Sequence, residues 1–408
     1  MDLLHQRCAG LDVHKDTVVA AVRVVQSGQV CHEVQTFSTH TKGLLELSDF
    51  LARHECTHAA MEATGVYWKP VWHVLEGLFE LVLANASHIR NVPGRKTDVN
   101  DAMWIADLLA HGLIRSSFVP PAPIQHMRDL TRTRKQLVRE IAQHTLRIQK
   151  TLEDANVKIT GLITDLMGVS GRAILSAIVQ GQHNPEILAD LAKGRLRAKR
   201  EALIEGLRGN VTEHHRFLLK MHLGMIDGLE RAVKEVDERI CDELEPFRAV
   251  VPLLTTIPGV SDIVAQVIVS EIGVDMKRFP TEKHLISWAG LCPRNDESAG
   301  KRRSTRLRHG APWLKTTLVQ AAWSASRTKD TYLRAQFQRI KSRRGPKKAA
   351  VAVAASILTS AYFMIRDSVP YRDLGPTHFE TRNKEKTTKR LLRRLEELGV
   401  HIEVRAAA

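Results

Sequence analysis

The stretch Cys8-Ala9-Gly10-Leu11-Asp12-Val13-His14-Lys15-Asp16, continued by Thr17-Val18-Val19-Ala20-Ala21-Val22, decides the fold. Its small and β-branched apolar residues on either side of a polar break read as two strands of a hairpin, with Asp12 near the end of the first. Farther on, Glu62 closes the apolar stretch Ala59-Ala60-Met61, and Ala63-Thr64-Gly65 turns the chain into a helix holding Trp68 and Trp72. Leu81-Val82-Leu83-Ala84 is a further strand, running into a loop from Asn85 to Lys96. Thr97 then caps a helix from Asp98 to His111, with Gly112 as its stop.

Asp12, Glu62, Asp98 and Asp101 thus each fall where a strand ends or a helix starts. Asp98 and Asp101 stand three residues apart and share a helix face, whereas Asp107 points away and is left out of the group. Two like charges at that spacing cost a helix roughly 0.2–0.5 kcal/mol unless a cation or the helix dipole offsets them. Any one of these acids alone reads as a solvated surface residue. In this order they read as a metal site, and oxygen donors without a neighbouring cysteine favour Mg²⁺ or Mn²⁺ over Zn²⁺. Such ions orient a phosphate and stabilise charge on its oxygens, which points to a nucleic-acid phosphodiester enzyme.

Strands are expected near 7–13, 17–25, 29–37, 57–62 and 80–84, and helices near 42–53, 66–78 and 97–112. That is the element order of a ribonuclease H-like α/β domain, here over residues 1–115. Pro120, Pro121 and Pro123 mark a linker. Residues 124–156 then read as one long helix with the stripe Leu137, Ile141, Ile148, Leu152, and a partner stripe follows in Ile226, Leu229, Val233, Val236, Ile240, Leu244 and Phe247. Spacings of three and four suit a coiled coil, paired antiparallel within one chain or between chains. Residues 120–249 are therefore a helical coiled-coil arm, with broken helical pieces between Val157 and Phe217 at its tip. A mainly helical domain over 250–370 and a basic tail over 371–408 complete the chain. Pro258-Gly259-Val260-Ser261 separates two apolar helical stretches as a helix-hairpin-helix does, so that Gly259 is a candidate backbone contact for a phosphate.

A hydrophobic content of 43% says globular, and five cysteines without paired spacing suggest neither disulfides nor a thiolate metal site. Residues 1–10 lack an apolar core of signal length, and Ala349–Ile365, the most apolar run, reads as a buried helix rather than a membrane span. A cytoplasmic protein, nucleoid-associated when bound to DNA, is expected. The net charge of +15 is uneven: residues 1–112 hold 9 Lys and Arg against 13 Asp and Glu, and the rest hold 51 against 32. Between Ala299 and Lys348 there are 15 basic residues and a single acid, Asp330. Phosphate backbone is the natural counter-charge.

Within that basic region, Trp288-Ala289-Gly290-Leu291-Cys292-Pro293-Arg294-Asn295-Asp296-Glu297-Ser298-Ala299-Gly300-Lys301 presents Ser298 on a polar loop beside Lys301, Arg302, Arg303, Arg306 and Arg308. A serine hydroxyl attacks phosphate only with a base or metal nearby and cations to neutralise the phosphate. Taken alone, Ser298 is a loop serine. His54-Glu55-Cys56-Thr57-His58 matches the zinc-protease pattern, but a helix ending near Arg53 and a strand starting near Thr57 cannot put both imidazoles on one helical face. Trp68, Trp72, Trp104, Trp288, Trp313 and Trp323 lie in helical, apolar surroundings and read as core.

With Asp12 in Gly-Leu-Asp-Val-His-Lys, Glu62 in Met-Glu-Ala-Thr-Gly, Asp98 and Asp101 in Lys-Thr-Asp-Val-Asn-Asp-Ala, and Ser298 in its Ala-Gly-Leu-Cys-Pro context, the chain resembles the DEDD insertion-sequence transposases of the one-ten family over nearly its whole length. The resemblance implies a RuvC-like domain holding Mg²⁺ through Asp12, Glu62, Asp98 and Asp101, a coiled-coil arm, and a transposase domain whose Ser298 attacks DNA. It also implies a homo-oligomer, dimer or tetramer, in which the acidic site of one subunit meets the serine of another. A structured non-coding bridge RNA would guide such a serine recombinase by pairing with donor and target DNA. Ala299 departs from the glycine usual after the serine, and the 157–217 region and the tail are longer than in a minimal member. The other readings from the same residues are a RuvC-like metal-dependent nuclease or junction resolvase without a covalent intermediate, and a nucleic-acid-binding regulator that keeps the fold.

Overall fold

Branched apolar residues on both sides of Lys15-Asp16 form the expected hairpin, β1 (Arg7–Val13) antiparallel to β2 (Thr17–Gln26) with Asp12 opposite Val19. The computed structural model describes residues 3–26, 28–63, 65–85, 89, 101–293, 296–298, 300–304, 306–307, 310–381 and 384–399. It divides into two units, Met1–Val119 and Pro120–Ala408.

In the first unit β3 (Gln29–Ser38) extends the hairpin, followed by α1 (Thr41–Arg53), β4 (His58–Glu62), α2 (Trp68–Leu75), β5 (Glu80–Ala84) and α3 (Asp101–Ala110). The sheet order is β3-β2-β1-β4-β5, with β1, β4 and β5 parallel and the first three strands antiparallel. Two-residue periodicity divides the side chains between two faces. Leu11, Val13, Ala59 and Met61 join Leu47, Phe50 and Leu51 of α1 and Val71 and Leu75 of α2 in one core. Cys8, Ala60 and Ala84 point the other way, against Ile105, Leu108 and Leu109 of α3. The helix expected over 66–78 stops at Leu75, because Glu76 turns to an extended conformation and pairs with Phe79 across Gly77 at φ +85°. Thr97 and Asp98 lie outside the described residues.

The second unit begins with α4 (Ala122–Asp154), continues through the short helices α5 (Val169–Val179), α6 (Pro185–Asp190) and α7 (Arg200–Gly206), and returns along α8 (Glu213–Leu244). The two apolar stripes pair antiparallel within the chain, which the sequence left open: Arg134 bridges to Asp237, His144 meets His222, and His215 meets Asp154. Ile148, Leu152, Leu219 and Ile226 share a core with Ile174 and Leu175 of α5 and Leu203 of α7. Broken helices at the far end of the pair thus have a packed interior of their own.

Thereafter come α9 (Val250–Thr255), α10 (Asp262–Ile272), α11 (Glu282–Trp288), the hairpin β6 (Asp296–Ser298) and β7 (Lys301–Ser304), α12 (Pro312–Ala325), α13 (Tyr332–Arg344), α14 (Pro346–Asp367), α15 (His378–Thr381) and α16 (Lys384–Glu397). Among the described residues α14 is the one helix long and apolar enough to cross a membrane. Its Ala349, Val353, Ala354, Ile357, Leu358 and Ala361 are nevertheless buried inside this unit, and the Tyr362 hydroxyl donates to the Phe279 carbonyl at 3.0 Å. The helix serves as core, as its small-residue composition predicts.

Candidate active-site carboxylates and the serine hairpin

α3 reaches β1 more closely than a side chain allows. A Cβ built on Gly10 would stand 2.0 Å from the Ala102 carbonyl oxygen and 2.4 Å from the Ala106 nitrogen, so only glycine fits there. The contact also fixes direction. Leu4 N–H donates to the Ala110 carbonyl, Cys8 Sγ lies 3.6 Å from the Ala106 carbonyl, and Gly10 lies against Ala102. As β1 advances, its contacts therefore climb α3 toward that helix's N-terminus.

Asp12 continues the face of Cys8 and Gly10, one strand period or about 6.6 Å beyond the glycine. Asp101 lies on the face of Ile105, one helical turn or about 5.4 Å back along α3, and Ile105 touches the Gly10 position. The two carboxylates advance from one contact point in the same direction. Glu62 joins them from the neighbouring strand. Leu11 pairs with Met61 in the parallel β1–β4 ladder, so Glu62 stands beside Asp12, and it shares the α3 face with Ala60. Strand spacing of about 4.8 Å separates the two backbones.

Asp12 is 24% exposed and its Oδ2 lies 3.1 Å from Nε2 of His14. This imidazole lies one residue past the end of β1, at the turn that His14 N–H closes onto the Thr17 carbonyl, so strand periodicity does not mark it in the sequence. Among the described residues no group of three or more His, Cys, Asp or Glu side chains is drawn together closely enough to hold a metal ion; Asp98 lies outside them. The convergence is one of backbone positions. The donor chemistry suits a hard cation. Burial pushes the Cys8 thiol up to about 11 and the Cys56 thiol up to about 12, so neither supplies a thiolate at neutral pH.

Asp107, left out of the group on its helical spacing, packs onto the sheet toward the far end of β1 from Asp12. It accepts hydrogen bonds from Arg23 Nε at 2.9 Å and lies 3.2 Å from His32 Nε2, two residues paired across β2 and β3. The His54–His58 motif is broken: His54 ends α1, Glu55 takes a left-handed φ of +52°, and His58 opens β4. No continuous helix carries it.

Ser298 was expected on a loop, but its backbone ends β6 and pairs with Lys301 of β7 around Gly300 at φ +73°. Polar residues with low strand propensity pair here because the turn closes and Pro293 bridges to Leu307 at the base. Lys301 and Arg306 are exposed, Arg302 and Arg303 lie on β7, and Arg308 lies outside the described residues. Gly259, at φ +84°, is pressed against α12: a Cβ would come within 2.5 Å of the Ala321 carbonyl oxygen and the Ala325 nitrogen. Close packing accounts for this glycine without a ligand.

Residues 9–157 match a family model described as a transposase, of the DEDD IS110 type, and residues 251–338 match one described as transposase of the IS116/IS110/IS902 family. The chain is 23% identical over 380 residues to the pilin gene-inverting protein of Moraxella lacunata, covering 89% of this chain and 96% of that protein. The same identity and coverage hold for the pilin gene-inverting protein of Moraxella bovis.

Proposed function

The chain belongs to the IS110 family of transposases and is a DNA transposase/recombinase, and on that footing we propose that it cleaves and rejoins DNA through Ser298, assisted by a divalent cation held in its N-terminal unit. The N-terminal unit is, on this reading, a RuvC-like member of the ribonuclease H-like fold. Asp12, Glu62, Asp98 and Asp101 are the residues that would hold Mg²⁺ or Mn²⁺. When bound, such a cation stabilises negative charge on phosphate oxygens. What supports the assignment is the convergence of Asp12, Glu62 and the start of α3 on one edge of one sheet face.

In the proposed reaction the Ser298 hydroxyl oxygen attacks phosphorus and loses its proton. The P–O bond to one deoxyribose breaks, and the departing sugar oxygen is protonated. Attack by a second sugar hydroxyl on the phosphoserine reverses the exchange, so no bond energy is lost to hydrolysis. Lys301, Arg302, Arg303, Arg306 and Arg308 neutralise the phosphate. The curated relatives are named for inverting a gene segment, and inversion requires that each cut end be rejoined. That requirement favours a covalent intermediate over metal-activated water. A structured bridge RNA selecting donor and target sequences, and a dimer or tetramer as the working unit, complete the proposal.

The test is a plasmid recombination assay. Asp12→Asn, Glu62→Gln and Asp101→Asn should each lower product by at least about 100-fold, with Glu46→Gln on the exposed side of α1 as the control. Full activity in all three variants would remove the carboxylate site from the mechanism.

A further inference from the structure

Four cations of α4, Arg128, Arg132, Lys135 and Arg139, follow one another at spacings of four, three and four, so they line a single helical face. The first two are neutralised. Glu271 of α10 has a side chain only 1% exposed, and Arg132 donates to both its carboxylate oxygens, at 2.8 and 2.9 Å. Arg128 donates to the Ser270 and Glu271 carbonyls at 3.3 and 2.6 Å.

Lys135 and Arg139 have no such partner. The Lys135 ammonium donates to the hydroxyls of Thr316 and Thr317 on α12, at 2.6 and 3.1 Å, and both groups are neutral. Among the described residues no carboxylate lies within ion-pair distance of Lys135 or Arg139. Burial holds the Lys135 pKa below its ordinary value, the adjacent Arg139 charge adds to that depression, and the Glu271 carboxylate, already held by Arg132, opposes it only in part. Between the cations lies Trp313, its ring centroid 5.4 Å from the Arg139 guanidinium carbon, 5.9 Å from Lys135 Nζ and 5.8 Å from the Arg132 guanidinium carbon. Trp313 is therefore not the plain core residue its apolar neighbours suggested.

A half-buried ammonium next to an exposed guanidinium has no carboxylate within ion-pair distance among the described residues, and the partly exposed indole between them offers a flat apolar surface. Both features match a sugar-phosphate chain: the phosphate supplies the missing charge, and the aromatic ring accepts a base or sugar face. Trp313 also follows Leu307, which closes the base of the Ser298 hairpin, by six residues. We propose that Lys135, Arg139 and Trp313 form a phosphate seat for a nucleic-acid strand, separate from the basic residues between Lys301 and Arg308 in the sequence. The proposal rests on the reading of the chain as a DNA enzyme, but on neither the serine nor the metal.

Fluorescence anisotropy with the full-length protein tests it, using labelled duplex DNA, single-stranded DNA and single-stranded RNA across a NaCl series. Each lost phosphate contact lowers affinity by roughly eightfold near 0.1 M salt and flattens the log–log salt slope by about 0.9 on duplex or 0.7 on a single strand. Arg139→Gln and Lys135→Gln should each show that loss on at least one probe, and Lys135→Arg should restore it; the probe most affected identifies the strand type. Because the Arg139 side chain is exposed, Arg139→Gln should leave the urea unfolding midpoint in place. Unchanged affinity and slope in a folded Arg139→Gln on all three probes, against a steep wild-type response, would overturn the seat alone. A flat wild-type response would instead overturn the nucleic-acid reading beneath it.

Discussion

The Cys8 and Cys56 side chains show how burial fixes chemistry one residue at a time. Both thiols are buried, whereas Cys31 and Cys241 are exposed. Burial raises the Cys8 and Cys56 pKa in the folded state to about 11 and about 12, above the ordinary value of 9.0. The folded protein then binds more protons than the unfolded chain above pH 9, so stability falls with rising pH in that window. The contribution is complete below about pH 9 and is lost as pH climbs through 11 and 12. Urea unfolding from pH 8 to 11 should show this decline, and Cys8→Ala with Cys56→Ala should flatten it; an equal slope in the double variant would contradict the account. Residue identity was the most legible level of the sequence: Asp12, Glu62 and Asp101 were readable from their places at element ends. His14 was not, because it lies in the turn just past β1, where no periodicity marks a hydrogen-bond partner of Asp12.

At the scale of the element, α3 matters most, since it carries Asp101 and meets β1 at Gly10. Its hold on the sheet includes a charge contact one and a half turns farther along, where Asp107 receives Arg23 Nε. Arg23 is 4% exposed, and its second guanidinium nitrogen has no partner among the described residues. Asp107→Ala should leave a buried cation uncompensated and cost about 3 kcal/mol in urea unfolding, whereas Arg23→Met combined with Asp107→Leu should recover most of that loss. A single variant as stable as the parent would show that the pair contributes nothing. Strands and long helices were legible because their apolar periods are strong. The β6–β7 hairpin was not, since Asp296-Glu297-Ser298 and Lys301–Ser304 are polar and its pairing is set by the turn and the base bridge. The antiparallel pairing of α4 with α8 was also beyond the sequence, because the heptad spacing alone serves partners in one chain or two.

At the scale of the whole molecule, charge and chemistry divide along the chain. The backbone positions of Asp12, Glu62 and Asp101 converge at one end of one face of the N-terminal sheet, and the cations concentrate in sequence after Ala299, with a further group on α4. Composition made the first division legible, because the acids and the basic run lie in different parts of the sequence. The α4 group was hidden because acids near it in sequence masked its face. In the proposed reaction DNA passes through a covalent bond to Ser298. A suicide DNA substrate, nicked so that one cleavage product diffuses away, measures this directly when the trapped protein is digested and its peptides are weighed by mass spectrometry. The expected product is a nucleotide attached through phosphate to the peptide containing Ser298, absent in Ser298→Ala. Cleavage of the same substrate with no adduct, or an adduct that survives Ser298→Ala, would contradict that covalent step and return the reaction to water.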